Sequence, residues 1–223
     1  MNNTSRRSES SKKISKGKAS MIVETSYLAA AASLIWIALY YLPIGGAVFR
    51  LALPLPLALL QVRRGLQAGI EGLTLAILLL TVLMGPIRGP LMLFPYGFLS
   101  LWLGWCWYKN FNWWISWIVG ILIGVVGFLI RVFVLSFLVG ENLWVIITRA
   151  GASLLERIID LLNLSLSFDM SHVQFAALSL VALQELVFVL SLHALAFWIF
   201  PRLQASMPEP PDVLNSLISL DPL

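Results

Sequence analysis

Charge is scarce in this chain: of its 223 residues only 12% are Asp, Glu, Lys or Arg, and 59% are hydrophobic. A soluble domain carries about a quarter charged residues, so a soluble globule is excluded and a polytopic membrane protein is indicated. The one cysteine, Cys106, allows neither an internal disulfide nor a Cys-x-x-Cys pair. It sits among Trp102, Trp105 and Trp107 and reads as packing. The two histidines, His172 and His193, are 21 residues apart, which gives no His-Glu-x-x-His zinc helix and no shared metal. His193 reads as a packing histidine. A Gly-x-Ser-x-Gly elbow and a Gly-rich phosphate loop are also missing. No catalytic site, metal site or cofactor is therefore expected, and the chain does not read as an enzyme. The apolar runs are too long and continuous for a strand-based barrel.

What the chain does contain is a series of apolar stretches of bilayer length, about 20 residues for a core of roughly 30 Å. They predict an all-α fold of six transmembrane helices: Glu24–Leu42, Gly45–Leu60, Leu66–Met84, Leu91–Tyr108, Asn110–Gly140 and Val173–Phe200. The second run carries Pro54 and Pro56, which remove backbone donors, so it is expected to cross with a kink, the alternative being a re-entrant hairpin. Between the fifth and sixth spans, residues 141–164 alternate an apolar face (Leu143, Ile147, Ala150, Leu154, Ile158, Leu161) with a polar one (Arg149, Ser153, Glu156, Asp160, Asn163). That pattern predicts an amphipathic surface helix, lying flat or folded over the bundle as a lid.

Three regions follow. Residues 1–23 form a basic tail expected to be disordered, 24–202 the six-helix membrane domain, and 203–223 a Pro-rich tail expected to be extended and mobile. A short apolar patch within it, Val213–Leu220, is available for docking. Six of the fifteen basic residues fall in the first eighteen positions. With six crossings, ten Lys or Arg lie on the side of the termini and three, Arg88, Arg149 and Arg157, on the other. By the positive-inside rule both termini are cytoplasmic, in a bacterial inner or other internal membrane, with the tail drawn to anionic lipid. The tail lacks the interleaved aromatics that stack on bases, so no nucleic-acid partner is expected.

Charges inside the spans are the candidate functional residues, because each costs roughly 2.5–3.5 kcal/mol unless it is paired or reaches water. Arg131 lies in the fifth span, about 7 Å outward of its middle by the helical rise, and Glu185 lies near the middle of the sixth. The two are expected to meet, with Gln184 completing the donors; the alternative is an Arg131 that snorkels outward. Arg50 and Arg88 fall in the same half and, with Arg131, outline an outward-facing pocket for a small polar or anionic ligand. Glu71, early in the third span, is expected to pair with Arg63 and Arg64. In the first span Thr25, Ala29 and Ser33 share one face at four-residue spacing. Such small residues allow close helix packing, inside the bundle or against a partner subunit.

The stretch Leu51–Leu60 (Leu-Ala-Leu-Pro-Leu-Pro-Leu-Ala-Leu-Leu), with Arg64-Gly65 and the connector from Gly85-Pro86 to Gly89-Pro90, resembles the YybS-like family of predicted bacterial membrane proteins over roughly residues 25–200. That family is similar in hydropathy and span number to the substrate-binding membrane subunits of energy-coupling-factor vitamin transporters. The resemblance implies six helices, a loop-covered outward pocket, and an Ala-x-x-x-Ala pattern in the first helix that meets a coupling subunit. Ala29 and Ser33 stand at those positions. The functional expectation is a substrate-binding or transport-associated membrane protein, whose ATP hydrolysis, if any, resides on another chain; a non-transporting scaffold or assembly factor is the competing expectation.

Overall fold

The computed structural model describes residues 3–42, 44–161 and 169–211, with backbone alone at 3–16, 154–155 and 158–160. Among these residues the chain is helical, with no strand. The helices are α1 (Asn3–Tyr41), α2 (Gly46–Ala52), α3 (Leu55–Arg64), α4 (Leu66–Met84), α5 (Tyr96–Tyr108), α6 (Trp113–Val139), α7 (Leu143–Leu161) and α8 (Met170–Ile199). Among the described residues five segments are long and apolar enough to cross a membrane: Gly17–Tyr41, Gly46–Arg64 (α2 and α3 together), Leu66–Met84, Trp113–Val139 and Met170–Ile199.

The fourth expected span differs from its sequence reading. Leu91–Tyr108 is divided by Phe94 and Pro95 into a short 3₁₀ turn, Pro90–Leu93, and the 13-residue α5. At 1.5 Å per residue α5 is about 20 Å long, short of a bilayer core. The basic tail also differs, since α1 is helical from Asn3. Helix extension from an established nucleus fixes one residue per added hydrogen bond, and the tail contains no proline to stop it.

The second run is divided at Leu53 and Pro54 into α2 and α3. Leu53 and Pro54 keep right-handed helical angles, and hydrogen bonds from Leu53 N–H to Phe49 and from Ala58 N–H to Pro54 carry the chain across the break. Pro54 and Pro56 supply no donors of their own. The two halves then have different fates. No residue of α2 is buried, whereas seven of the ten in α3 are. Helix α3 forms the centre of the bundle, with Leu57, Ala58, Leu60 and Gln61 inaccessible to solvent. Such close approach needs glycine on the neighbours. A Cβ on Gly104 of α5 would lie 3.1 Å from the Ala58 backbone, and one on Gly69 of α4 2.8 Å from the Gln61 amide. Gly97 against Leu73 completes an antiparallel α4–α5 pair.

Thr25, Ala29 and Ser33 are buried at this α1–α4 contact. Ser33 Oγ donates to the Ala29 carbonyl (2.9 Å) and to the Ala76 carbonyl of α4 (3.4 Å). Internal packing therefore covers the small-residue face that a partner subunit would need. The exposed large side chains of α6, among them Ile118, Leu122, Val126, Leu129, Phe133 and Phe137, instead form an apolar stripe, as a lipid-facing helix requires.

One end of the bundle is clamped by charge. Glu24 accepts from Arg63 Nη1 (2.7 Å) and Arg64 Nε (2.6 Å), Arg64 also donates to Ser20 Oγ, and Arg63 Nη2 donates to the Leu203 carbonyl. The expected Glu71 pairing is corrected here. Glu71 is exposed and accepts from Gln67 Nε2, one turn back on its own helix, while Glu24 reaches both arginines from α1. Beyond Leu203 the chain lies against the bundle, with Ala205 and Pro210 buried and Trp113 Nε1 donating to the Pro208 carbonyl (3.0 Å). The segment up to residue 211 is thus held in place; Val213–Leu220 lies outside the described residues. Glu24→Gln is expected to weaken the clamp by about 1 kcal/mol, because these side chains are partly exposed. The readout is a fall in Tm of roughly 2–4 °C, smaller in high salt.

At the opposite end α6 turns at Gly140, in the left-handed region at φ 79°, into α7, which packs on α6 and α8. Ser136 Oγ accepts the Leu143 N–H and donates to the Val132 carbonyl, fixing the start of α7. Ile147 and Ala150, expected on its apolar face, are exposed, while Thr148 is buried. Residues 162–164, the end of the expected amphipathic helix, lie outside the described residues. Asp169 begins α8: its carboxylate accepts from the Ser171 hydroxyl and the Met170 N–H, which together hold it below the usual carboxylate range.

Candidate functional site

The charged residues inside the spans converge on one layer built by α1, α2, α5, α6 and α8. Its acid is Glu185, at the middle of α8 and 1% exposed. Its partner is Arg50 of α2, whose Nη2 donates to Glu185 Oε1 at 2.9 Å. With the Gln184 amide turned carbonyl-inward, Gln184 accepts from Arg50 Nη2 at 2.8 Å and from Nη1 as well. The guanidinium is also flanked by rings, with Cζ 5.1 Å from the Phe188 centroid and 6.0 Å from that of Tyr96. A cation over these faces gains electrostatic attraction that grows with desolvation.

Glu185 fits because α6 presents glycine to it. A Cβ on Gly124 would lie 2.5 Å from Glu185 Oε2, and one on Gly120 3.0 Å from Val189. These two contacts set the antiparallel register of α6 and α8, and they explain why the expected Arg131–Glu185 pair does not form. Arg131 lies seven residues beyond Gly124, about 10 Å along the helix, so α2 delivers the nearer arginine.

Arg131 has other partners. Its Nη2 donates to the Tyr40 hydroxyl at 2.8 Å, and its Cζ lies 5.5 Å from the Trp36 ring centroid. Among the described residues no carboxylate stands within ion-pair distance of it. Four aromatic rings connect the two arginines: Tyr40 contacts Trp36 (5.1 Å), Trp36 contacts Tyr96 (5.8 Å), and Tyr96 contacts Phe188 (6.1 Å). The layer thus holds two fixed cations, one carboxylate and two tyrosine hydroxyls. Of these two arginines only Arg50 has a carboxylate within ion-pair distance among the described residues.

Of the residues singled out from sequence, Arg50, Gln184 and Glu185 come together, with Arg131 at the far end of the aromatic chain. Arg88 does not join them; it is exposed in the connector between α4 and α5. The contacts described for Arg50 and Arg131 run to α1, α5 and α8. Trp36, Tyr40, Tyr96 and Phe188 escaped the sequence reading. Trp36 and Tyr40 carried a signal, since they lie four apart on one face of the first span. Gly120-x-x-x-Gly124 carried another, as a small-residue pattern for close helix approach. His193 is a packing histidine, as expected. Its Nδ1–H donates to the Val189 carbonyl (2.8 Å), leaving Nε2 to accept the Ser116 hydroxyl (3.0 Å), and the ring lies between Trp107 and Trp113.

Apolar helices of spanning length define a multi-pass membrane protein. The family model described as Predicted membrane protein (DUF2232) matches residues 29–213, and the chain belongs to that family. The matched region takes in the whole charge layer. No curated protein and no solved structure matches the chain.

Proposed function

We propose that this protein is a substrate-binding or transport-associated membrane protein whose charge layer takes a small anionic ligand. The observation that carries the reading is the imbalance of the layer: Glu185 is engaged by Arg50, while Arg131 is held by the neutral groups of Tyr40 and Trp36. A cation at that depth is costly without a counter-charge, and a bound anion supplies one through charge-assisted hydrogen bonds. In this reading α5 with its preceding turn completes a sixth crossing. Both termini then face the cytoplasm, as the surplus of Lys and Arg on that side favours, and the arginines lie in the outward half. The buried Thr25, Ala29 and Ser33 face gives no support to a coupling subunit docking there. The scaffold reading would draw on the exposed apolar stripe of α6, for which lipid contact is a sufficient account.

The test is ligand-induced stabilisation of the purified protein by phosphate, sulfate and a series of carboxylates, with choline and glycerol as controls. At least one anion should raise Tm, and Arg131→Gln should weaken its binding roughly ten- to a hundredfold, the worth of one charge-assisted bond. Stabilisation by choline alone, or an affinity indifferent to Arg131→Gln, would overturn the proposal.

A further inference from the structure

We infer that the anion carries a single apolar chain, which lies in a groove between α5 and α6 while its charged head sits at Arg131. The inference rests on the anion-binding reading above and adds the chemical class of the ligand.

The groove encloses about 610 Å³, within the usual range for small-molecule sites. Its walls follow from helical periodicity. Phe98, Trp102 and Trp105 come off α5 at spacings of four and three, and Leu122, Val126 and Ile130 come off α6 at spacings of four. The lining is apolar, and the Trp102 indole N–H is already given to the Ser116 carbonyl (3.2 Å). By helical rise the α6 wall, from Leu122 to Ile130, is about 12 Å long. It opens along the exposed stripe through Leu122 and Val126, which are 60% and 44% exposed. A chain can therefore enter sideways from the bilayer.

The upper rim of this groove and the unpaired cation belong to the same turn of α6. Gly127, which lines the groove and packs on Pro95, is one turn below Arg131 on the same face. Ile130, which lines the groove at this end, immediately precedes Arg131 in the chain. An apolar trough ending at a cation is complementary to an amphiphile with a negative head. Its walls are α5 and α6, with Leu66 of α4 also lining it, and a single channel runs between them, which suits one chain rather than two.

The experiment compares ethyl phosphate, dodecyl phosphate and dodecanol as ligands of the full chain in a steroid-based detergent, which has no alkyl chain to fill the groove. Dodecyl phosphate should bind at least tenfold tighter than ethyl phosphate, and saturation near a hundredfold excess over Kd should raise Tm by roughly 5 °C. Val126→Trp, at a lipid-facing position where folding is not at stake, should abolish the chain-length gain and leave ethyl phosphate binding intact. Arg131→Gln should weaken both phosphates. Equal affinity for ethyl and dodecyl phosphate would overturn the inference and leave the anion reading standing. Equal affinity for dodecanol and dodecyl phosphate, or no binding by any of the three, would overturn both. Displacement of dodecyl phosphate by equimolar phosphatidic acid would make the occupant a two-chain bilayer lipid and refute the single-chain assignment.

Discussion

Glu185→Leu should destabilise the protein by about 3 kcal/mol, because removing one partner leaves Arg50 in the bundle without its counter-charge. Arg50→Met should cost a comparable amount, since it leaves a carboxylate that is 1% exposed facing Phe188 and Gly124. The Arg50→Met/Glu185→Leu double variant should recover most of the loss, because apolar residues of similar volume replace such pairs at little cost. Thermal unfolding in one detergent reads the cycle, with single-variant shifts of roughly 10 °C expected. Strictly additive losses would show that the two side chains do not couple. Arg131→Met provides the contrast. It removes a bond to a neutral hydroxyl and a ring contact, so its coupling to Glu185 should be near zero.

The second large effect is expected at Gly127. Alanine in a helix interior is favoured over glycine by about 1 kcal/mol, so an unobstructed substitution would stabilise. A Cβ on Gly127, however, would lie 2.5 Å from Pro95 Cβ and 2.7 Å from Pro95 Cα. Neither atom can rotate away, and overpacking against rigid neighbours costs about 1–3 kcal/mol. Gly127→Ala should therefore lower Tm, and Gly127→Leu should lower it much further by forcing α6 away from α5. Gly151→Ala is the control: in α7 nothing lies within 4 Å of the added Cβ, so Tm should rise. A rise for Gly127→Ala as well would show that α6 does not rest on Pro95.

The layer itself was half legible from sequence. Charged and polar side chains inside apolar runs identify Arg50, Arg131, Gln184 and Glu185 without any structure, because the bilayer makes each one expensive. Their pairing was harder to read. Placing the span midpoints near Val126 and Leu186 brought Arg131 and Glu185 to overlapping depths. The Gly120–Val189 and Gly124–Glu185 contacts shift that register by about one helical turn. A slip of that size, about 5 Å, is enough to change an ion pair. Helix termini near the bilayer surface follow hydropathy, whereas register follows notches such as Gly124 that only the facing side chain reveals. The same limit applies to α5: its apolar run is continuous through Leu91–Leu93, yet the 3₁₀ turn ends at Phe94 and Pro95 and the helix begins after them. It applies again to the Glu24 clamp, where two helices distant in sequence supply the partners.

The contrast between α2 and α3 has a mechanical consequence. Most helices here are held by packing spread along their length, which yields gradually as contacts are lost. Helix α2 buries no side chain, and among the described residues its polar and ring contacts to α8 all pass through Arg50. The hold of α8 on α2 is thus a point attachment: without the Arg50–Glu185 bond, α2 keeps its packing on α1 and its continuation into α3 and loses its polar tie to α8.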